Sequence, residues 1–163
     1  MIIGIGGASR SGKSTLAAFI KNFFEKKNEP TIILDQDNFV LPEPKLPQIK
    51  GHPDWDHPDG MDWLALNRAI RAAAKQHQHT IIEGIFAFYN PDLAVHYNKM
   101  ICMSVDQKTF HLRREKETRW GVEPDWYTDH VWQSHLQFSK CPGTALVIND
   151  SFDESAIIEY LRC

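Results

Sequence analysis

The chain is short of several things at once. It has no apolar run approaching the roughly 20 residues that a membrane helix needs, no internal repeat and no low-complexity tract. A bilayer-spanning helix and a repeat architecture are therefore excluded. The net charge is only -3, so no basic surplus points to nucleic acid or to an anionic membrane. The cysteines are three, Cys102, Cys141 and Cys163, an odd number at wide spacing with no Cys-x-x-Cys pair. That usage predicts reduced thiols in a reducing compartment. The apolar start, Met1 to Gly6, lacks a basic flank and is too short for a signal segment, and a soluble, cytoplasmic protein is expected.

What is present suits a single domain over residues 1–163. Short apolar runs, Ile2–Ile5, Thr31–Leu34, Thr80–Glu83, Met100–Val105 and Ala145–Ile148, read as strands. They alternate with segments of helical period: Lys13–Lys27, Met61–Gln76, Gln107–Glu117, Tyr127–Ser139 and Asp153–Leu161, the last capped by Asp150 or Ser151. In the first helix Leu16, Ile20 and Phe23 or Phe24 form the core face; in the second, Leu64, Ala65, Ile70 and Ala73 do. Alternating strands and helices predict an α/β fold with a parallel sheet covered by helices. From Asp35 to Gly60 the chain carries five prolines and little periodicity. A connection that long in a compact domain is functional or disordered.

After the first strand, Gly7-Ala8-Ser9-Arg10-Ser11-Gly12-Lys13-Ser14 satisfies G-x-x-x-x-G-K-[ST]. Here glycines let backbone N–H groups curl around a phosphate, lysine reaches the β and γ oxygens, and the serine hydroxyl ligates Mg²⁺. Gly7, Ser9, Ser11, Gly12, Lys13, Ser14 and Thr15 are the candidate contacts to the nucleotide phosphates. Strand two ends in Asp35-Gln36-Asp37, where an aspartate can take a proton from an attacking hydroxyl. The strand Thr80–Glu83 ends in an acid suited to act through Mg²⁺ and its waters. The run His111–Arg119 supplies Arg113, Arg114, Lys116 and Arg119, cations able to close over a transferring phosphoryl group or simply to form a solvated helix face.

The stretch GHPDWDHPDGMDW, from Gly51 to Trp63, holds four aspartates, two histidines and two tryptophans. As an EF-hand starting at Asp54 it fails, because Pro58 stands where a ligand oxygen is needed and Asp59 where glycine is needed. As plain disorder it is too rich in aromatics.

In this order the motifs resemble the P-loop kinases of the uridine kinase and phosphoribulokinase group, and most closely nicotinamide riboside kinases. The matching pieces are GASRSGKST, Gln36-Asp37-Asn38-Phe39, Trp55-Asp56, Ile81–Phe86, Arg113–Arg119 and Asp129-His130-Val131-Trp132. The resemblance implies a three-layer P-loop NTPase fold with a five-stranded parallel sheet, a lid near 115–127 and an acceptor-binding loop near 36–60. It implies an ATP- and Mg²⁺-dependent kinase acting on the 5′-hydroxyl of a ribonucleoside, nicotinamide riboside first. A uridine or cytidine kinase, another small-metabolite kinase, and a non-catalytic nucleotide-binding module are the alternatives. Carried over by position, Asp37 falls on the general base, Asp56 on the carboxylate holding the ribose diol, and Trp55 on a ring stacked against the base. Lys13 falls on the phosphate position, and Ser14 and Glu83 on the Mg²⁺ positions. Between Arg119 and Trp132 the chain is shortened relative to that family. The second stacking aromatic is therefore Trp120, Trp126 or Tyr127, and the substrate cation is one of Arg113, Arg114, Lys116 or Arg119. A small-molecule nucleoside is the expected partner, and the protein is expected as monomer or homodimer.

Overall fold

A computed structural model describes residues 1–116 and 123–162. Five strands, β1 (Ile2–Gly7), β2 (Thr31–Asp35), β5 (His79–Gly84), β6 (Lys99–Ser104) and β7 (Leu146–Asn149), form one sheet in the order β2-β5-β1-β6-β7. Every pairing in it is parallel. A second, two-stranded antiparallel ribbon joins β3 (Gln48–Ile49) to β4 (His52–Pro53). The helices are α1 (Lys13–Glu25), α2 (Trp63–Gln76), α3 (Pro91–Ala94), α4 (Gln107–Arg114), α5 (Tyr127–Phe138) and α6 (Glu154–Arg162).

Because both faces of the sheet are covered, its strands read as continuous apolar runs rather than as alternating ones. Ile3, Ile5, Ile81, Ile101 and Met103 pack against Leu16, Ile20 and Phe24 of α1 and Ile157 and Leu161 of α6. On the opposite face Ile82 meets Leu66 and Ile70 of α2 and Leu93 of α3. A third cluster joins Phe110 of α4 to Tyr127, Val131 and Trp132 of α5, beside Ala8 and Val105. This is the expected three-layer P-loop fold, with the motif-bearing loops at the carboxyl edge of the sheet.

Some expectations need correction. In α2 the buried leucine is Leu66, while Leu64 is exposed: Leu66, Ile70 and Ala73 recur at i, i+4 and i+7 and form the buried face of a helix that starts at Trp63 under an Asp62 cap. Helix α6 is capped by Asp153, whose Oδ1 accepts from the Ser155 and Ala156 N–H groups; Asp150 instead pairs with Arg113. Helix α4 stops at Arg114. The 35–60 connection, in line with its aromatic content, is built rather than disordered. It carries 3₁₀ turns at Gln36–Phe39, Glu43–Lys45 and Pro58–Gly60, and its base is closed by Leu41 N–H to Gly60 O at 2.8 Å and Asp62 N–H to Phe39 O at 2.8 Å. Finally, Cys102 in the core of β6 is disulfide-bonded to Cys141 after α5, with Cα atoms 6.0 Å apart, so these two thiols are not reduced and lend no support to a reducing compartment. Cys163 lies outside the described residues. Among the described residues no helix is long and apolar enough to cross a membrane.

The disulfide closes a loop of sequence separation 39. Chain-entropy arguments put such a cross-link at about 2–4 kcal/mol. Cys141→Ser should lower the denaturant midpoint in non-reducing buffer, and dithiothreitol should do the same to the parent but nothing further to the variant. Equal midpoints for all four samples would exclude a stabilising bridge.

Candidate active site

The phosphate loop leaves β1 at Gly7, where φ is +142° and an added Cβ would lie 2.1 Å from the Met103 carbonyl oxygen, so only glycine lets the loop pass β6. It enters α1 through Gly12, whose φ of 97° serves as a left-handed N-cap. Lys13 opens the helix, nearly buried, and its ammonium donates to the Ala8 carbonyl at 2.8 Å. Burial lowers the Lys13 pKa, although Glu83, Asp37, Asp35 and Asp56 all act to raise it.

Those acids arrive on neighbouring strand ends. Asp35 and Glu83 are register partners across β2 and β5, which sets two carboxylates side by side. Glu83 is buried, and that burial raises its pKa against a hydrogen bond from the Ser14 hydroxyl and the charge of Lys13. Asp35 Oδ1 accepts from the Asp37 N–H at 2.9 Å and starts the 3₁₀ turn. Gln36 anchors that turn: it is buried, its Oε1 accepts from the Phe86 N–H at 3.1 Å, and a Cβ on Gly84 would come within 2.0 Å of it. With Gln36 fixed beneath, Asp37 faces the cleft.

The cleft has a volume of about 750 Å³. It brings together Ser9, Gly12, Lys13, Ser14 and Thr15 of the phosphate loop and α1, Asp37 and Glu83 from the strand ends, and Trp55 and Asp56 from the long loop. Arg113, Arg114 and Lys116 also line it. Of the predicted residues, Gly7 shapes the loop rather than the lining. Ser11 is buried and faces a smaller cavity of about 310 Å³ shared with Gly12, Thr15, Arg113 and Phe152. Arg119 and Trp120 lie outside the described residues.

The far wall is stapled to α5. Ser134 donates through its hydroxyl to the Asp56 carbonyl, His130 Nε2 meets Asp54 Oδ1 at 2.9 Å, and Tyr127 accepts from the Trp55 N–H at 3.1 Å. These three side chains recur at i, i+3 and i+7, one face of a helix. Asp54 Oδ1 also accepts from the Asp56 N–H at 3.1 Å. Trp55 is 43% exposed, whereas Asp56 is 8% exposed. Burial raises the Asp56 pKa to about 6, opposed by Arg114, by the Tyr127 hydroxyl and by His130, and aided by Asp54. Neither remaining candidate for a second stacking ring lines the cleft. Tyr127 is buried on Asp56, and Trp126 stands edge-on to His52, 6.1 Å between centroids, under the Lys50 ammonium. The ring that does line it beside Trp55 is His52.

The cations are docked on the phosphate loop. Arg113 donates to the Arg10 carbonyl at 3.1 Å and pairs with Asp150; Arg114 forks onto both Glu123 oxygens at 2.6 and 2.8 Å and reaches Ser9 Oγ at 3.4 Å. Sequence reading missed Asp35, His52, Glu123 and the α5 stripe. Asp35 was visible as an acid at a strand end, and the stripe as Tyr-x-x-His-x-x-x-Ser on a helix, but nothing in the sequence paired the stripe with the loop.

No family model matches the chain. Nicotinamide riboside kinase 1 of Homo sapiens is 27% identical over 157 residues, covering 84% of this chain and 75% of that protein. Uridine kinase of Mycoplasma pneumoniae is 40% identical over 68 residues, 40% of this chain and 31% of that one. An unliganded sugar kinase from Janibacter sp. HTCC2649 superposes with a TM-score of 0.66 at 20% identity, covering 99% of this chain and 94% of its own. The chain's relatives are kinases of small molecules, and its fold is theirs.

A carboxyl whose pKa is raised on folding binds more protons in the native state, so its contribution to stability falls as pH rises from about 4 to 6. Asp56→Asn, which removes the buried charge but keeps an oxygen for Tyr127, should melt above the parent at pH 7.5, and the gap should close toward pH 5. A variant less stable than the parent at pH 7.5 would show that Asp56 is not a buried charge held at a cost.

Proposed function

We propose that the chain is an ATP-dependent kinase that transfers the γ-phosphoryl group to the 5′-hydroxyl of a ribonucleoside, nicotinamide riboside first. The observation that carries this reading is one cleft lined by the phosphate loop, by Trp55 and Asp56 of the long loop, and by Asp37, whose charge acts on Lys13. A nucleotide sensor has no use for the acceptor-side wall.

Asp56 accepts from the ribose 2′- and 3′-hydroxyls, and the exposed Trp55 ring stacks on the base, a cation–π contact worth about 0.5–2 kcal/mol for a pyridinium. Asp37 takes the 5′-hydroxyl proton as that oxygen forms its bond to the γ-phosphorus and the bond to the β-phosphate oxygen breaks, releasing ADP. Lys13 and the loop amides hold the phosphate oxygens, and Arg113 and Arg114 approach the same loop from α4. Hard oxygen donors suit Mg²⁺: the Ser14 hydroxyl already bonded to Glu83, with Asp35 alongside. Among the described residues no group of three or more His, Cys, Asp or Glu is placed to hold a metal ion. When bound, Mg²⁺ neutralises charge on the β and γ oxygens.

A pyrimidine nucleoside is the second reading, favoured by the uridine kinase relative and by the His52 ring in the cleft, a hydrogen-bonding edge that a nicotinamide cation does not need.

ADP release over nicotinamide riboside, uridine, cytidine, adenosine and pantothenate should be largest for nicotinamide riboside; turnover of uridine alone would select the second reading, and none at all would sink both. Asp37→Asn should lower kcat about 10²–10⁴-fold with ATP binding intact. A change of only a few fold would remove Asp37 from the role of base.

A further inference from the structure

The geometry points to Tyr127 as the residue that positions Asp56 for the acceptor diol. This inference rests on the kinase reading of the cleft and adds a residue that no cleft-lining argument identifies, because Tyr127 is 1% exposed and reaches substrate only through Asp56.

Its hydroxyl makes two bonds of opposite sense. It accepts from the Trp55 N–H at 3.1 Å and donates to Asp56 Oδ2 at 3.2 Å. A phenol has one proton, and the bond from Trp55 occupies a lone pair, so the proton is directed at the carboxylate. Burial, with Asp56 and Asp54 nearby, holds the phenol protonated far above its ordinary range, so it stays a donor. The same atom thus fixes the backbone of the stacking residue and one oxygen of the diol-binding residue. The other carboxylate oxygen is left to accept from a ribose hydroxyl.

The hydroxyl also bears on the charge of Asp56. Charged and titratable groups face that carboxylate from every side: Arg114 from α4, His130 from α5, Lys13 from α1 and Asp54 from its own loop. Arg114 is shared with Glu123, and His130 with Asp54. The Tyr127 proton is the direct hydrogen bond to Asp56 that favours its ionised form. A protonated Asp56 offers a diol one acceptor fewer, so acceptor binding should weaken as pH falls through about 6.

The experiment compares the parent, Tyr127→Phe, Asp56→Asn and a protein with 3-fluorotyrosine at 127, using nicotinamide riboside and uridine as acceptors across pH 5–8. Tyr127→Phe keeps the ring and should raise acceptor KM about tenfold or more, leaving kcat and the KM for ATP within about threefold. The acid limb of acceptor kcat/KM should move to higher pH. Fluorotyrosine preserves the packing and donates more strongly, so it should move the limb the other way, which keeps the test decisive even if Tyr127→Phe folds poorly. A parent-like acceptor KM and an unmoved limb in Tyr127→Phe, with Asp56→Asn impaired, would overturn the positioning role alone. Limbs shifted in one direction by both Tyr127 changes would also overturn it. Unimpaired Asp56→Asn, or no turnover of either nucleoside by the parent, would remove the diol clamp and this inference together.

Discussion

A lysine ammonium buried at the carboxyl edge of a parallel sheet is the constraint around which the rest is arranged. Taking that charge from water is expensive, and the pKa of Lys13 falls despite four surrounding acids. The acids are not a local motif: Asp35 and Asp37 come from the end of β2, Glu83 from β5 and Asp56 from the long loop. Because β5 lies between β1 and β2, the sheet carries the first three to its carboxyl edge, within reach of the Lys13 charge. The topology and the chemistry of the site are in this sense the same requirement.

Asp56, one of those four acids, has the mirror-image problem. Lys13 and Asp56 are equally hidden, 8% exposed each, and burial moves their pKa values in opposite directions, the ammonium down and the carboxyl up. The Asp56 carboxylate favours the charged form of Lys13 across the cleft that both residues line.

The sequence made the sheet legible because its strands are apolar on both faces and bounded by motif residues. It made the phosphate loop legible because close backbone approach demands Gly7 and Gly12 at set spacing. Asp37, Glu83, Trp55 and Asp56 line one cleft. Local pattern is silent on pairings between distant elements. The disulfide between Cys102 and Cys141, the contacts of Tyr127, His130 and Ser134 with the loop, and the docking of Arg113 on the Arg10 carbonyl join residues about 40 to 100 positions apart. Helix phase in α2 turns on spacing: Leu64 and Leu66 are equally apolar, but only Leu66 has Ile70 at i+4 and Ala73 at i+7, the stripe that is buried.

The long connection is fastened at its base by backbone bonds between its two ends and along its length by three side chains of α5. Its conformational entropy is therefore surrendered during folding rather than at the moment a ligand arrives. Those fastenings use backbone groups of the loop and the Asp54 carboxylate, and the Trp55 side chain takes no part in them. Exchanging that ring would alter the rim of the cleft and leave the frame beneath it in place.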